Sequence, residues 1–207
     1  PGWPESPEDA RSLWALVERL SGDEPHLGAN RFVDHPEASR YFRRHGGRTG
    51  DRFGSGAGRL RLVEHRQREC LLSPYSCLNL VGAAQVGKSS LTAMRMFHRL
   101  GGRIPVWPFD ALPGSGPVIV EIYTSLAART AGIRKGMSKI RDGASLDAAL
   151  EQFDSRPHAP LERYSDHMTD ALLTAAWLRT VAHEPQLWSP AGLNAVAATE
   201  GWTFGVR

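Results

Sequence analysis

At 207 residues, with 41% apolar and 23% charged side chains, the chain is long enough for one well-packed domain and short for two, and its composition is ordinary for a soluble globular protein. No run approaches the roughly 18 apolar residues that a membrane helix needs, which excludes a bilayer span. Cys70 and Cys77 are the only cysteines, too few for a disulfide scaffold or a four-ligand zinc site, so a reduced, cytoplasmic compartment is the simplest expectation.

The opening Pro1-Gly2-Trp3-Pro4-Glu5 has neither the basic head nor the apolar middle of a secretory signal and lacks an initiator Met, so a fragment of a longer protein is expected. Residues 6–20 read as an amphipathic helix. Ser6 is placed to cap it and Pro7 to open it, with Glu8 and Asp9 in the first turn and Leu13, Leu16, Val17 and Leu20 on one face. Ser21-Gly22-Asp23 stops it. A shorter helix is expected over residues 36–44, followed by a Gly- and Arg-rich loop excursion over residues 46–58. Residues 61–69 fit a helix and an edge strand equally well.

Residues 89–100 form the second clear helix, with Leu91, Met94, Phe97 or His98, and Leu100 as its apolar stripe and Gly101-Gly102 at its end. Pro105 and Pro108 make residues 104–109 an edge segment or loop. Residues 117–123, Pro-Val-Ile-Val-Glu-Ile-Tyr, are the strongest strand candidate, and their β-branched run predicts burial on both faces. Helices are expected again over 145–153 and 165–181, and a terminal strand over 200–206. The sum is an α/β class with a small sheet, in a single domain covering residues 1–207, although only one segment makes a convincing central strand.

The net charge of +3 is unevenly built. Lys88, Lys135 and Lys139 are the only lysines, whereas Arg40, Arg43, Arg44, Arg48, Arg52, Arg59, Arg61, Arg66 and Arg68 crowd one stretch opposed by Asp51, Glu64 and Glu69. Clustered guanidinium groups suit phosphate contacts, and a solvated surface segment is the plainer reading of the same run.

Gly82-Ala83-Ala84-Gln85-Val86-Gly87-Lys88-Ser89 matches the phosphate-loop pattern G-x-x-x-x-G-K-S and opens a helix. In that motif backbone N–H groups wrap a phosphate, the Lys neutralises it and the Ser holds Mg²⁺. The context argues against it here. Little room for a strand precedes Gly82, and neither D-x-x-G nor N-K-x-D follows Ser89. A tight glycine-permitted entry into a helix accounts for the same residues. A P-loop NTPase, with Lys88 and Ser89 on the phosphates and Glu121 as its Walker-B acid, stays open as an alternative.

Asp166 and Asp170 lie four residues apart at the start of the 165–181 helix, so both carboxylates share one face. Offsetting the helix dipole would explain them alone. Glu121 adds a third acid, because a carboxylate interrupting an apolar strand needs a partner, a metal or a sheet edge. One strand acid with two helix acids is a donor set for two Mg²⁺ or Mn²⁺ ions acting on a phosphodiester.

His167-x-x-Asp170-Ala171 resembles the C-terminal acidic motif of RuvC-type resolvases. More broadly, Leu78-Asn79-Leu80-Val81-Gly82, Val106-Trp107-Pro108-Phe109-Asp110, Val120-Glu121-Ile122-Tyr123, Asp166-His167-x-x-Asp170-Ala171 and Glu200-Gly201-Trp202 resemble, in order, a bacterial family of predicted ribonuclease-H-like nucleases. The resemblance implies a mixed sheet flanked by helices, missing its N-terminal strands and the acid they carry. It implies Mg²⁺- or Mn²⁺-dependent cleavage of DNA or RNA, with Glu121, Asp166 and Asp170 as catalytic metal ligands and His167 beside them. Lys88, Ser89, Arg43 and Arg44 would contact phosphates. A non-catalytic nucleic-acid-binding module is the remaining alternative.

Overall fold

A computed structural model describes residues 3–82, 85–134, 139–157 and 159–207 of the chain. Among them the protein is helical. Its helices are α1 (Ala10–Ser21), α2 (Asn30–Asp34), α3 (Leu62–Glu69), α4 (Val86–Leu100), α5 (Thr124–Thr130), α6 (Gly143–Glu151), α7 (Asp166–Val181), α8 (Pro185–Trp188) and α9 (Leu193–Val196), with short 3₁₀ turns at Pro25–Leu27 and Ala38–Tyr41. No sheet forms among the described residues. Extended backbone pairs only in isolated bridges, Arg43 with Thr49 and Asn79, Val106 with Ile119, and Glu121 with Thr203.

The expected ribonuclease-H-like α/β sheet is therefore overturned, and the 117–123 segment shows why. Val118, Ile119 and Val120 are only half-buried and Glu121 is exposed, so the β-branched run is not enclosed on both faces. Ile119 and Glu121 each pair with one residue of a different segment. Strand propensity expresses itself only where neighbouring strands offer a pleated surface to pack on, and none is present among the described residues. The terminal segment corrects in the same way, because Thr203 makes a bridge and the residues after it turn.

The chain divides into two compact units, Pro1–Val120 with Gly192–Trp202, and Glu121–Ala191 with Thr203–Arg207. In the first, α1 lies against α4 and α2. Helix α1 starts at Ala10 rather than at residue 6. Asp9 accepts from the Ser12 N–H at 2.7 Å while the Ser12 hydroxyl returns a contact to the Asp9 N–H, a reciprocal cap that Ser6 does not make. Leu16 and Val17 then join Phe32, Ala38, Phe42, Leu80 and Leu91 in one apolar cluster. Trp14 packs edge-on to Phe109 at 5.0 Å and tilted to Phe97 at 5.3 Å. Each such side chain withdrawn from water stabilises the fold by about 1.5–3 kcal/mol. The helix expected over 36–44 shrinks to one 3₁₀ turn, and residues 61–69 resolve as helix.

Arg95 of α4 is fully buried and ties this unit together. Its Nε donates to Glu18 Oε2 at 2.7 Å, and its other nitrogens donate to the carbonyls of Gly22, Glu24 and Gly28. The segment leaving α1 is thereby strapped to α4.

In the second unit α7 packs on α5 and α6. Ser165 caps α7 and Asp142 caps α6. The Trp177 and Trp188 rings both meet Phe204, at 6.2 and 4.6 Å. No helix among the described residues is long and apolar enough to cross a membrane.

Candidate functional site

The expected acids lie in the second unit, where they do not assemble as a set of three. Asp166 is the first residue of α7 and is held by two cations, Lys139 Nζ at 3.2 Å and Arg141 Nη1 at 2.6 Å. The hydrogen bond from Lys139 and the charge of Arg141 keep its carboxyl below the usual carboxylate range. One turn on, Asp170 is half-buried. Withdrawal from water pushes its carboxyl up, against the Thr124 hydroxyl that donates to Oδ2 at 3.2 Å. The two acids share a small hollow of about 140 Å³ with Thr124, Ser125, Ala128 and Lys139.

Glu121 does not line that hollow. Its Oε1 accepts from the Thr203 hydroxyl at 2.8 Å, and its carbonyl accepts from the Phe204 N–H at 2.8 Å. His167 is exposed on the first turn of α7. Among the described residues no three His, Cys, Asp or Glu side chains stand where they could hold one metal ion. The donor set does not fit a pair of divalent cations, because Glu121 is placed elsewhere and ammonium and guanidinium groups already face the Asp166 oxygens.

Within the phosphate-loop stretch, Gly87 serves packing. Ala83 and Ala84 lie outside the described residues. No strand precedes Gly82; Asn79 makes a single bridge to Arg43. The Gly87 N–H, which a phosphate would need, donates to the Asn79 carbonyl at 3.2 Å. A Cβ at Gly87 would overlap the Cys77 carbonyl and lie 2.7 Å from Leu80 Cδ2, so glycine is required for the first turn of α4 to seat on residues 77–80. Ser89 is exposed.

Much of the arginine-rich stretch is neutralised internally. Arg40 pairs with Asp51 and Glu37, Arg61 with Glu64, and Arg66 with Glu69, while Arg52 donates to the Tyr41 hydroxyl at 2.7 Å. The cations without an acidic partner among the described residues include Arg48 and Lys88, and these two come together.

They meet at a cleft of about 310 Å³ in the first unit, lined by Arg44, His45, Arg48 and Lys88, with Asn30 and Thr92 as further polar groups and Ala29, Val33, Leu80 and Leu91 as apolar wall. Lys88 Nζ lies 3.2 Å from His45 Nε2, which brings the first turn of α4 to the 43–49 turn. Arg44 pairs with Asp34 at 2.9 Å through one terminal nitrogen, while its Nε is buried without a hydrogen-bond partner. Arg48 Nε donates only to the His45 carbonyl. Three permanent cations thus face one carboxylate. Of the residues expected to contact phosphate, the structure brings Lys88 and Arg44 together here and leaves Arg43 and Ser89 outside.

Sequence reasoning missed Glu24 and Arg95, which set the far wall of this cleft. Glu24 accepts from the N–H groups of Asn30 and Arg31 at 2.9 and 2.7 Å, fixing the entry to α2. Burial works against its charge, but those N–H groups together with the Asn30 and Ser21 side chains outweigh it and hold the carboxyl below its ordinary value. Arg95 grips the Gly28 carbonyl next to Ala29 and Asn30. The only signal available was an Arg on the apolar side of an amphipathic helix.

No family model, no curated protein and no solved structure matches this chain.

Proposed function

We propose that the chain is a non-catalytic nucleic-acid-binding module that holds phosphate at the cleft of its first unit. The observation that carries this reading is the convergence of Arg44, His45, Arg48 and Lys88 on one concavity, from segments about forty residues apart in sequence. Guanidinium forks donate in pairs to phosphate oxygens, and an ammonium adds a point charge. The half-buried Ala29 and Val33 offer an apolar surface for a sugar or base beside the charged rim.

The test is fluorescence anisotropy with labelled single-stranded DNA and RNA over a range of salt. Binding should weaken with salt, and Arg48→Ala and Lys88→Ala should each flatten the logarithmic salt dependence by about one unit. Both side chains are exposed, so circular dichroism should show the fold unchanged. Salt-insensitive binding, or binding untouched by both variants, would sink the proposal. Cleavage of the strands that requires Mg²⁺ or Mn²⁺ would show that the module is catalytic after all.

A further inference from the structure

The shape and charge of the cleft select among phosphate ligands, and on the nucleic-acid reading just given we infer that it takes the terminal nucleotide of a strand through a phosphomonoester. Two features separate this ligand from an internal backbone phosphate.

The first is charge. Arg44, Arg48 and Lys88 face a single carboxylate, that of Asp34, which Arg44 already engages. The excess suits a group of about two negative charges, which a phosphomonoester carries near neutral pH. A phosphodiester carries one. The terminal nitrogens of Arg48 and the exposed Lys88 ammonium are donors for the additional oxygens that a terminal phosphate presents.

The second is extent. A protein that tracks the interior of a strand spreads its cations along a groove so that successive phosphates are met in turn. Here Arg40, Arg61 and Arg66 are consumed by Glu37, Asp51, Glu64 and Glu69, and the exposed Arg43, Arg59 and Arg68 lie outside the hollow, so the cations that converge on one concavity are Arg44, Arg48 and Lys88. At about 310 Å³ the hollow lies at the small end of ligand sites and has room for one nucleotide. Asn30 and Thr92 supply polar groups for its sugar, and the half-buried Ala29 and Val33 an apolar face for its base.

The same chemistry is offered by a free nucleoside monophosphate, so the experiment separates the sources. The full chain is titrated against five probes, four of them single strands of about 12 nucleotides. They are a 5′-phosphorylated oligonucleotide, its 5′-hydroxyl form, a 3′-phosphorylated form, a ligated circle of the same sequence, and a mixture of free nucleoside monophosphates. At least one phosphorylated end should bind about ten-fold tighter than the hydroxyl-ended strand and the circle, the worth of one charge-assisted contact. That preference should vanish in Arg48→Ala and in Lys88→Ala.

If the circle binds as well as every linear strand and both variants weaken all four equally, end recognition is overturned while the nucleic-acid reading stands. If no strand binds, both fall together. Free monophosphates that match the phosphorylated strand would support the phosphomonoester site and overturn the strand as its source.

Discussion

Replacing Arg95 by Met removes the one charged side chain that is fully buried among the described residues of the first unit, and the two arginines on Glu18 provide an internal control. Arg95 and Arg99 reach the same carboxylate at 2.7 and 2.8 Å, but the Arg95 side chain is 0% exposed and that of Arg99 is 49% exposed. In Arg95→Met the carbonyls of Gly22, Glu24 and Gly28 lose a charged donor, although Gly22 keeps Arg99. A charged hydrogen bond is worth about 1.5–3 kcal/mol, and breaking a buried pair by removing one partner costs about 3–5 kcal/mol. Because Glu18 also keeps Arg99, the loss should fall within that range rather than above it. Arg99→Ala should cost about 1 kcal/mol or less, since solvent screens an exposed pair. Urea unfolding followed by circular dichroism measures both, and hydrogen exchange should show residues 22–30 losing protection first in Arg95→Met. A loss below about 1 kcal/mol in Arg95→Met, or equal losses in the two variants, would refute the assignment of Arg95 as the strap.

Three further outcomes follow from the same geometry. The Glu18 carboxyl sits below its ordinary value of 4.5 because Arg95 and then Arg99 donate to it against the cost of burial. A depressed carboxyl contributes stability above its unfolded value and loses it as pH falls, so the advantage of wild type over Glu18→Gln should be full at pH 7 and shrink steadily below 4.5. A constant gap across that window would contradict the ion pair. Gly87→Ala should destabilise the chain by about 1–3 kcal/mol, because the new methyl overlaps the Cys77 carbonyl and crowds Leu80; a variant of unchanged stability that loses ATP or GTP binding would restore the phosphate loop. The opposite behaviour is expected of Lys88→Ala, which should leave the urea midpoint in place and reduce binding of single-stranded nucleic acid.

The local signals in the chain were sound where one element's own residues decide the outcome. Periodic apolar positions and caps place α1, α4, α6 and α7 close to where they form, because capping and an amphipathic stripe are local properties. Even there the cap of α1 moved from Ser6 to Asp9, which the sequence places inside the first turn, because the reciprocal bond with Ser12 forms at Asp9. Gly101, in the left-handed conformation at the end of α4, was equally legible.

What the sequence could not decide was pairing at a distance. A β-branched run at 117–123 reads as a strand in isolation, yet a strand exists only if other segments lie alongside it, and here Val106 and Thr203 each offer a single bridge. Glu121 looked like a buried acid because its neighbours are apolar, and tertiary structure leaves it exposed against a Thr hydroxyl. The arginine run looked uniformly available, and which members remain so depends on where Glu37, Asp51, Glu64 and Glu69 fall. The cleft itself joins the turn carrying Arg44 and Arg48 to the first turn of α4 carrying Lys88. Charge and residue type are written in the chain, but Coulomb interactions depend on separation in space, and that separation is set only when α4 seats on residues 77–80 and Arg95 draws the 22–28 segment against it.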